Sequence, residues 1–196
     1  MNRPSTDIRI TNSAKKLFWQ FGTKKVSIEE ICKDAEVSKM TFYRKFSNKT
    51  ELAKKVLGEF YAQAKVEYRS FMDESSPFEK KMQQLILFEV KNAENMSQAL
   101  VQDIFGQADQ ELKDFMEAQQ HEVYQDFIRD LKVAQEAGSI RKDIKLEFVL
   151  LMLDNLGKQI ADKNLLDMYD SVQEANTELI NFFLYGLFDP TSKDEK

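Results

Sequence analysis

Lys39, Met40, Thr41, Tyr43 and Arg44 fall within one short run of the chain. On a helix advancing about 100° per residue, Phe42 and Phe46 lie only about 40° apart, so both face inward. Met40 and Arg44 then lie about 160° to either side of Phe42, facing out, with Thr41 and Tyr43 on the flanks. The outward surface offers a flexible apolar chain, a hydroxyl with a methyl, a phenol and a guanidinium. Those groups suit thymine methyls, base edges and phosphates. Lys39 projects nearer the core side, but at the helix start its stem can carry the ammonium out to a phosphate.

Other chemistries find little support. The chain has one His, His121, so no multi-His metal site can form within it. Ala118 stands three residues before His121, which removes the Glu-x-x-His pattern of a di-iron bundle. No Gly-rich phosphate loop and no Ser/His/Asp set is present. No catalytic residue, metal or cofactor is expected, and the chain does not read as an enzyme. Cys32 is the single Cys, so no intrachain disulfide can form and a reducing compartment is suited. Its place on an apolar stripe marks an inert buried thiol. The N-terminus is polar and the apolar runs are short, so a cytoplasmic protein without a membrane partner is expected.

The elements that position these residues read as helices throughout. The chain has 196 residues, 42% of them hydrophobic, with 6 Gly and 3 Pro. Few turn residues and a steady helical period give an all-α fold of about nine helices. Ile10, Ala14, Leu17, Phe18 and Phe21 share one face, and Gly22 follows as a terminator, which predicts a helix over 7–21. Ser27 with Glu30 forms a capping box for 28–35. Ser38 caps 39–46, and Asn48 caps a long helix to about Met72. Pro77 opens the next helix as its first residue. Helices are expected further on over 97–105, 109–137, 145–166 and 170–188. The segment 27–46 is therefore helix, short turn, helix, a helix-turn-helix arrangement. Residues 1–58 carry about two Lys or Arg for each Asp or Glu, although the whole chain has net charge −5. A basic head on an acidic body favours a polyanion at the head.

Residues 8–52 resemble the DNA-binding domain of TetR-family transcriptional regulators. The resemblance rests on Ala14, Leu17-Phe18 and Gly22, then Ser27 and Ile31, then Ala35-Glu36-Val37-Ser38. Thr41-Phe42-Tyr43, Phe46, Lys49 and Leu52 complete it. It implies a homodimeric, ligand-responsive regulator, usually a repressor, binding a pseudo-palindromic double-stranded operator. By this resemblance Tyr43 and Lys49 match phosphate-holding positions, and Ser27 lies against the DNA backbone. Glu36 replaces the frequent turn glycine, and Met40 stands where a small residue is common. Glu36 must therefore avoid positive φ or accept roughly 1 kcal/mol of strain. The expected division is residues 1–50 for DNA and 51–196 for effector binding and dimerisation.

In the second part, polar residues interrupt apolar runs. Glu89 lies on the inner stripe with Leu85 and Ile86, and Asp154-Asn155 interrupts Leu-Leu-Met-Leu. A buried carboxylate needs a partner. Glu89, Asp154 and Asn155 are therefore candidate ligands for an unidentified small-molecule effector. The wide apolar faces of the last two long helices, which include Phe148, Val149, Phe182 and Leu187, point to a homodimer. The alternative reading is a helical protein-interaction module that does not bind DNA.

Overall fold

The computed structural model describes residues 4–106 and 109–185, with the side chains at 106 and 157 left aside. Among them ten α-helices and one π-helical turn occur, and no strand. The first four helices are α1 (Thr6–Phe21), α2 (Ile28–Asp34), α3 (Lys39–Tyr43) and α4 (Lys49–Met72). Next come α5 (Phe78–Ala93), α6 (Gln98–Val101), the π turn (Gln102–Gly106) and α7 (Gln110–Glu136). The chain continues through α8 (Leu146–Gln159), α9 (Lys163–Leu166) and α10 (Val172–Tyr185).

The caps act as their residue types require. Ser5 accepts from the Ile8 N–H at 3.4 Å. Ser27 accepts from the Glu30 N–H at 3.2 Å while the Glu30 carboxylate accepts from the Ser27 N–H at 2.8 Å, a reciprocal capping box. Ser38 accepts from the Thr41 N–H at 3.1 Å. Asn48 accepts from the Glu51 N–H at 2.7 Å, and the Glu51 carboxylate reaches back to the Ser47 N–H at 2.6 Å.

Several elements differ from expectation. The helix expected over 145–166 breaks after α8, because Asp162 turns its side chain onto the Asn164 N–H at 2.8 Å and starts α9. The helix expected over 97–105 becomes α6 and then a π turn. The stretch 39–46 is helical only to Tyr43. Pro77 is the N-cap of α5 and not its first helical residue. The end expected for the last helix, Leu187 included, lies outside the described residues.

The chain forms two compact units. One takes residues up to 63 together with 95–119; the other takes 64–94 and 120 onward. The first is built on Ile10, Ala14, Phe18, Ile31, Phe42, Phe46, Leu52 and Val56, joined by Leu100, Ile104, Leu112 and Met116. Trp19 meets Phe60 of α4 edge to face at 5.4 Å. The second is built on Phe71, Met82, Leu85, Phe88, Phe127, Leu131, Val149 and Leu184.

Glu36 accepts the strain. Its φ is 52°, in the left-handed region that disfavours L side chains. Replacing Glu36 with Gly should therefore raise unfolding stability by about 1 kcal/mol. Urea denaturation measures it; a loss of stability would show that the Glu36 side chain outweighs its backbone strain.

Candidate nucleic-acid interface

Phe42 is fully buried and Phe46 nearly so, which sets the rotation of α3 about its axis. Their rings lie 5.8 Å apart. With that face inward, Met40 is 73% exposed and Tyr43 55%. Arg44 is exposed at the C-cap of α3, and among the described residues nothing pairs with its guanidinium. The Tyr43 ring packs edge to face on Phe42 at 5.4 Å, so its hydroxyl is carried on a seated ring.

The remaining candidates are held by protein groups. Thr41 is half-buried and its hydroxyl shares a 2.9 Å hydrogen bond with Ser38 Oγ. Lys39 pairs with Glu29 of α2, and the contact holds the Glu29 carboxyl below its ordinary value and the Lys39 ammonium above its own. Ser27 is half-buried, and its hydroxyl donates to Glu30 at 2.7 Å. Lys49 is half-buried, and its Nζ donates to the Lys24 carbonyl at 3.0 Å and the Val26 carbonyl at 2.8 Å. Burial lowers the Lys49 pKa, against the attraction of Asp103 and Glu30. An ammonium has three N–H donors, so one remains. Lys49 also lines a cavity of about 280 Å³ with Thr23, Lys24, Thr50 and Asp109.

Residues 10–56 match the family model described as bacterial regulatory proteins, tetR family. The protein carries an N-terminal domain of that family. It is a DNA-binding transcriptional regulator with an N-terminal TetR-type domain. No curated protein matches the sequence. Solved structures do. The fatty acid degradation regulator FadR from Bacillus halodurans is 18% identical with a TM-score of 0.73, covering 95% of this chain and 98% of that one. FadR from Bacillus subtilis in complex with stearoyl-CoA is 15% identical, TM-score 0.72, covering 92% and 98%. A transcriptional regulator from Saccharomonospora viridis in complex with choline is 15% identical, TM-score 0.73, covering 93% and 97%. At these identities the likeness is one of fold. Among the described residues no helix is long and apolar enough to cross a membrane, and no three His, Cys, Asp or Glu are grouped to hold a metal ion.

In the second unit, the three candidate ligand residues fare differently. Asp154 is half-exposed and paired with Lys158 one turn on, at 2.5 Å. Asn155 is exposed and donates to the Leu151 carbonyl at 2.8 Å. Glu89 is half-buried, and desolvation alone pushes its carboxyl up to about 7. Sequence reasoning missed its neighbour Tyr124. The Glu89 and Asp154 charges both reach Tyr124, whose hydroxyl is pushed up to about 12, first by burial. That hydroxyl accepts from Gln120 at 2.6 Å and donates to the Leu153 carbonyl at 2.9 Å. Tyr124 sits inside a long amphipathic helix, where only its burial marks it.

Glu89 keeps its proton to higher pH in the folded chain than in the unfolded one. Folding therefore takes up a proton between the ordinary Glu value and about 7, and Glu89 makes stability fall as pH rises through that window. Thermal melts should show the wild type losing stability between pH 5 and 8 relative to Glu89→Gln. Parallel profiles would contradict the desolvation of Glu89.

Proposed function

We propose that the protein is an effector-responsive repressor acting as a homodimer on a pseudo-palindromic operator. Residues 1–50 hold the DNA and residues 51–196 carry the effector site and the dimer contact. The observation that carries this is the exposed face of α3, with Met40, Tyr43 and Arg44 outward and Phe42 buried behind them. Arg44 reads a base edge, Met40 meets thymine methyls, and Thr41 adds contact through its flank. Tyr43, Ser27, Lys39 and Lys49 hold backbone phosphates, for which Lys39 exchanges its exposed pair with Glu29.

The dimer reading is supported by apolar side chains left outside in the second unit. Phe148 and Leu151 of α8, and Phe182 and Tyr185 of α10, are each more than half exposed. Val149 and Leu184 on the same helices are buried, so each helix has an inner and an outer apolar face. Two such helices from each subunit suit a four-helix contact.

The effector is a hydrophobic amine or quaternary ammonium, drawn to the Glu89 carboxyl among apolar neighbours such as Leu85 and Phe88. A similar fold in complex with choline supports this charge class. The stearoyl-CoA complex shows that the same fold also accommodates an acyl thioester, the outcome to expect if Glu89 acts as a neutral donor.

An operator selected from random duplexes gives the test. Arg44→Ala should cost about 1–3 kcal/mol per half-site on the operator and little on a scrambled duplex. Lys49→Ala and Tyr43→Phe should weaken both alike. Sedimentation of the same complex should count two chains per operator. Equal loss on both duplexes for Arg44→Ala would make Arg44 a phosphate contact, and one chain per operator would remove the dimer.

For the effector, release of operator by dodecyltrimethylammonium should be weakened at least tenfold in Glu89→Gln, with operator affinity unchanged, the scale of one lost charge contact. An unchanged response would remove Glu89 from the site.

A further inference from the structure

The loop joining α1 to α2 is held by a residue far away in sequence. Asp103, on the π turn, accepts a hydrogen bond from the Lys24 backbone N–H through Oδ2 at 2.9 Å. The same oxygen lies against Gly22, where an added Cβ would collide with it. Gly22 also has φ 82°, so two independent demands require glycine there. A second anchor lies close by, since the Ser97 N–H donates to the Trp19 carbonyl at 2.9 Å. The loop is thus pinned from the α6 side.

The pinned loop carries the seat of Lys49. The carbonyls of Lys24 and Val26 accept the two hydrogen bonds of the Lys49 ammonium. Lys24 therefore gives its N–H to Asp103 and its C=O to Lys49. The Asp103 charge also favours the Lys49 ammonium directly. A π turn is uncommon in helices and concentrates at functional positions. Here it carries the carboxylate that meets Lys24.

We propose that Asp103 is a positioning residue for DNA binding, holding the loop whose carbonyls seat the Lys49 ammonium for a backbone phosphate. This rests on the reading of Lys49 as a phosphate contact. It makes a prediction opposite in sign to simple electrostatics. An acidic side chain near a polyanion repels it, so its removal ordinarily strengthens binding. Loss of a positioning carboxylate weakens it.

The test uses the full chain and a short random duplex, titrated at several salt concentrations. Asp103→Ala should bind roughly five- to tenfold more weakly, the scale of one hydrogen bond. Its slope of log affinity against log salt should fall by about one unit per chain bound, as for Lys49→Ala. The double variant should be no weaker than Lys49→Ala alone. Asp103→Asn keeps an acceptor for the Lys24 N–H and should bind as the wild type or more tightly. If Asp103→Ala does not fold, Asp103→Ser, polar but too short to reach Lys24, takes its place with the same expected loss. A merely structural role would lower the active fraction and leave the salt slope unchanged. Tighter binding by Asp103→Ala, an unchanged slope, or additive losses in the double variant would overturn the proposal while the Lys49 reading stands. An unaltered Lys49→Ala would overturn both.

Discussion

The candidate DNA surface depends on one buried ring. A helix of five residues such as α3 has no stability of its own in water. Phe42 gives it a place by entering the core among Ile10, Phe18, Ile31 and Leu52. A ring so seated contributes about 1.5–3 kcal/mol, enough to choose one rotation of a short helix over another. Once Phe42 is inside, Met40 and Arg44 must be outside. The Ser38 cap and the Glu36 backbone, strained at φ 52°, set where the helix starts. The exposed chemistry of α3 is a consequence of what lies behind it.

Around that surface, four lysines have partners in the free protein, while Arg44 has none among the described residues. Lys39 faces Glu29, Lys16 faces Asp34, and Lys45 faces Asp7. Lys49 rests on two carbonyls. Exposed pairs of this kind hold about 0–1 kcal/mol, so a phosphate can displace the carboxylate at little cost. Pairing keeps long side chains near their working positions while leaving them exchangeable. Lys49 differs, because its carbonyl partners can remain while its third N–H meets a phosphate.

The parts legible in the sequence are those governed by near neighbours. Ser27 with Glu30, Ser38, Asn48 and Gly22 set helix limits through contacts three or four residues away. The inward turn of Phe42 and Phe46 and the exposure of Met40 and Arg44 follow from one period. What escaped reading depends on distant groups or on a close competition. Asp162 competes with an otherwise continuous helix, so 145–166 divides. The π turn after α6 has no periodic signature. The Asp103 hydrogen bond to Lys24 spans 79 positions, and the carbonyl seat of Lys49 exists only once the loop is folded. Asp154 and Glu89 look alike as interruptions of apolar runs, yet Lys158 partners one and desolvation alone acts on the other.

In the proposed function, the surface from Ser27 to Lys49 meets DNA. Hydrogen exchange of the full chain, with and without a duplex, addresses it directly. Exchange of backbone N–H groups within 27–49 should slow on adding the duplex and recover at high salt, with α8 and α10 unchanged. Protection confined to α8 and α10, or no protection anywhere at low salt, would contradict it.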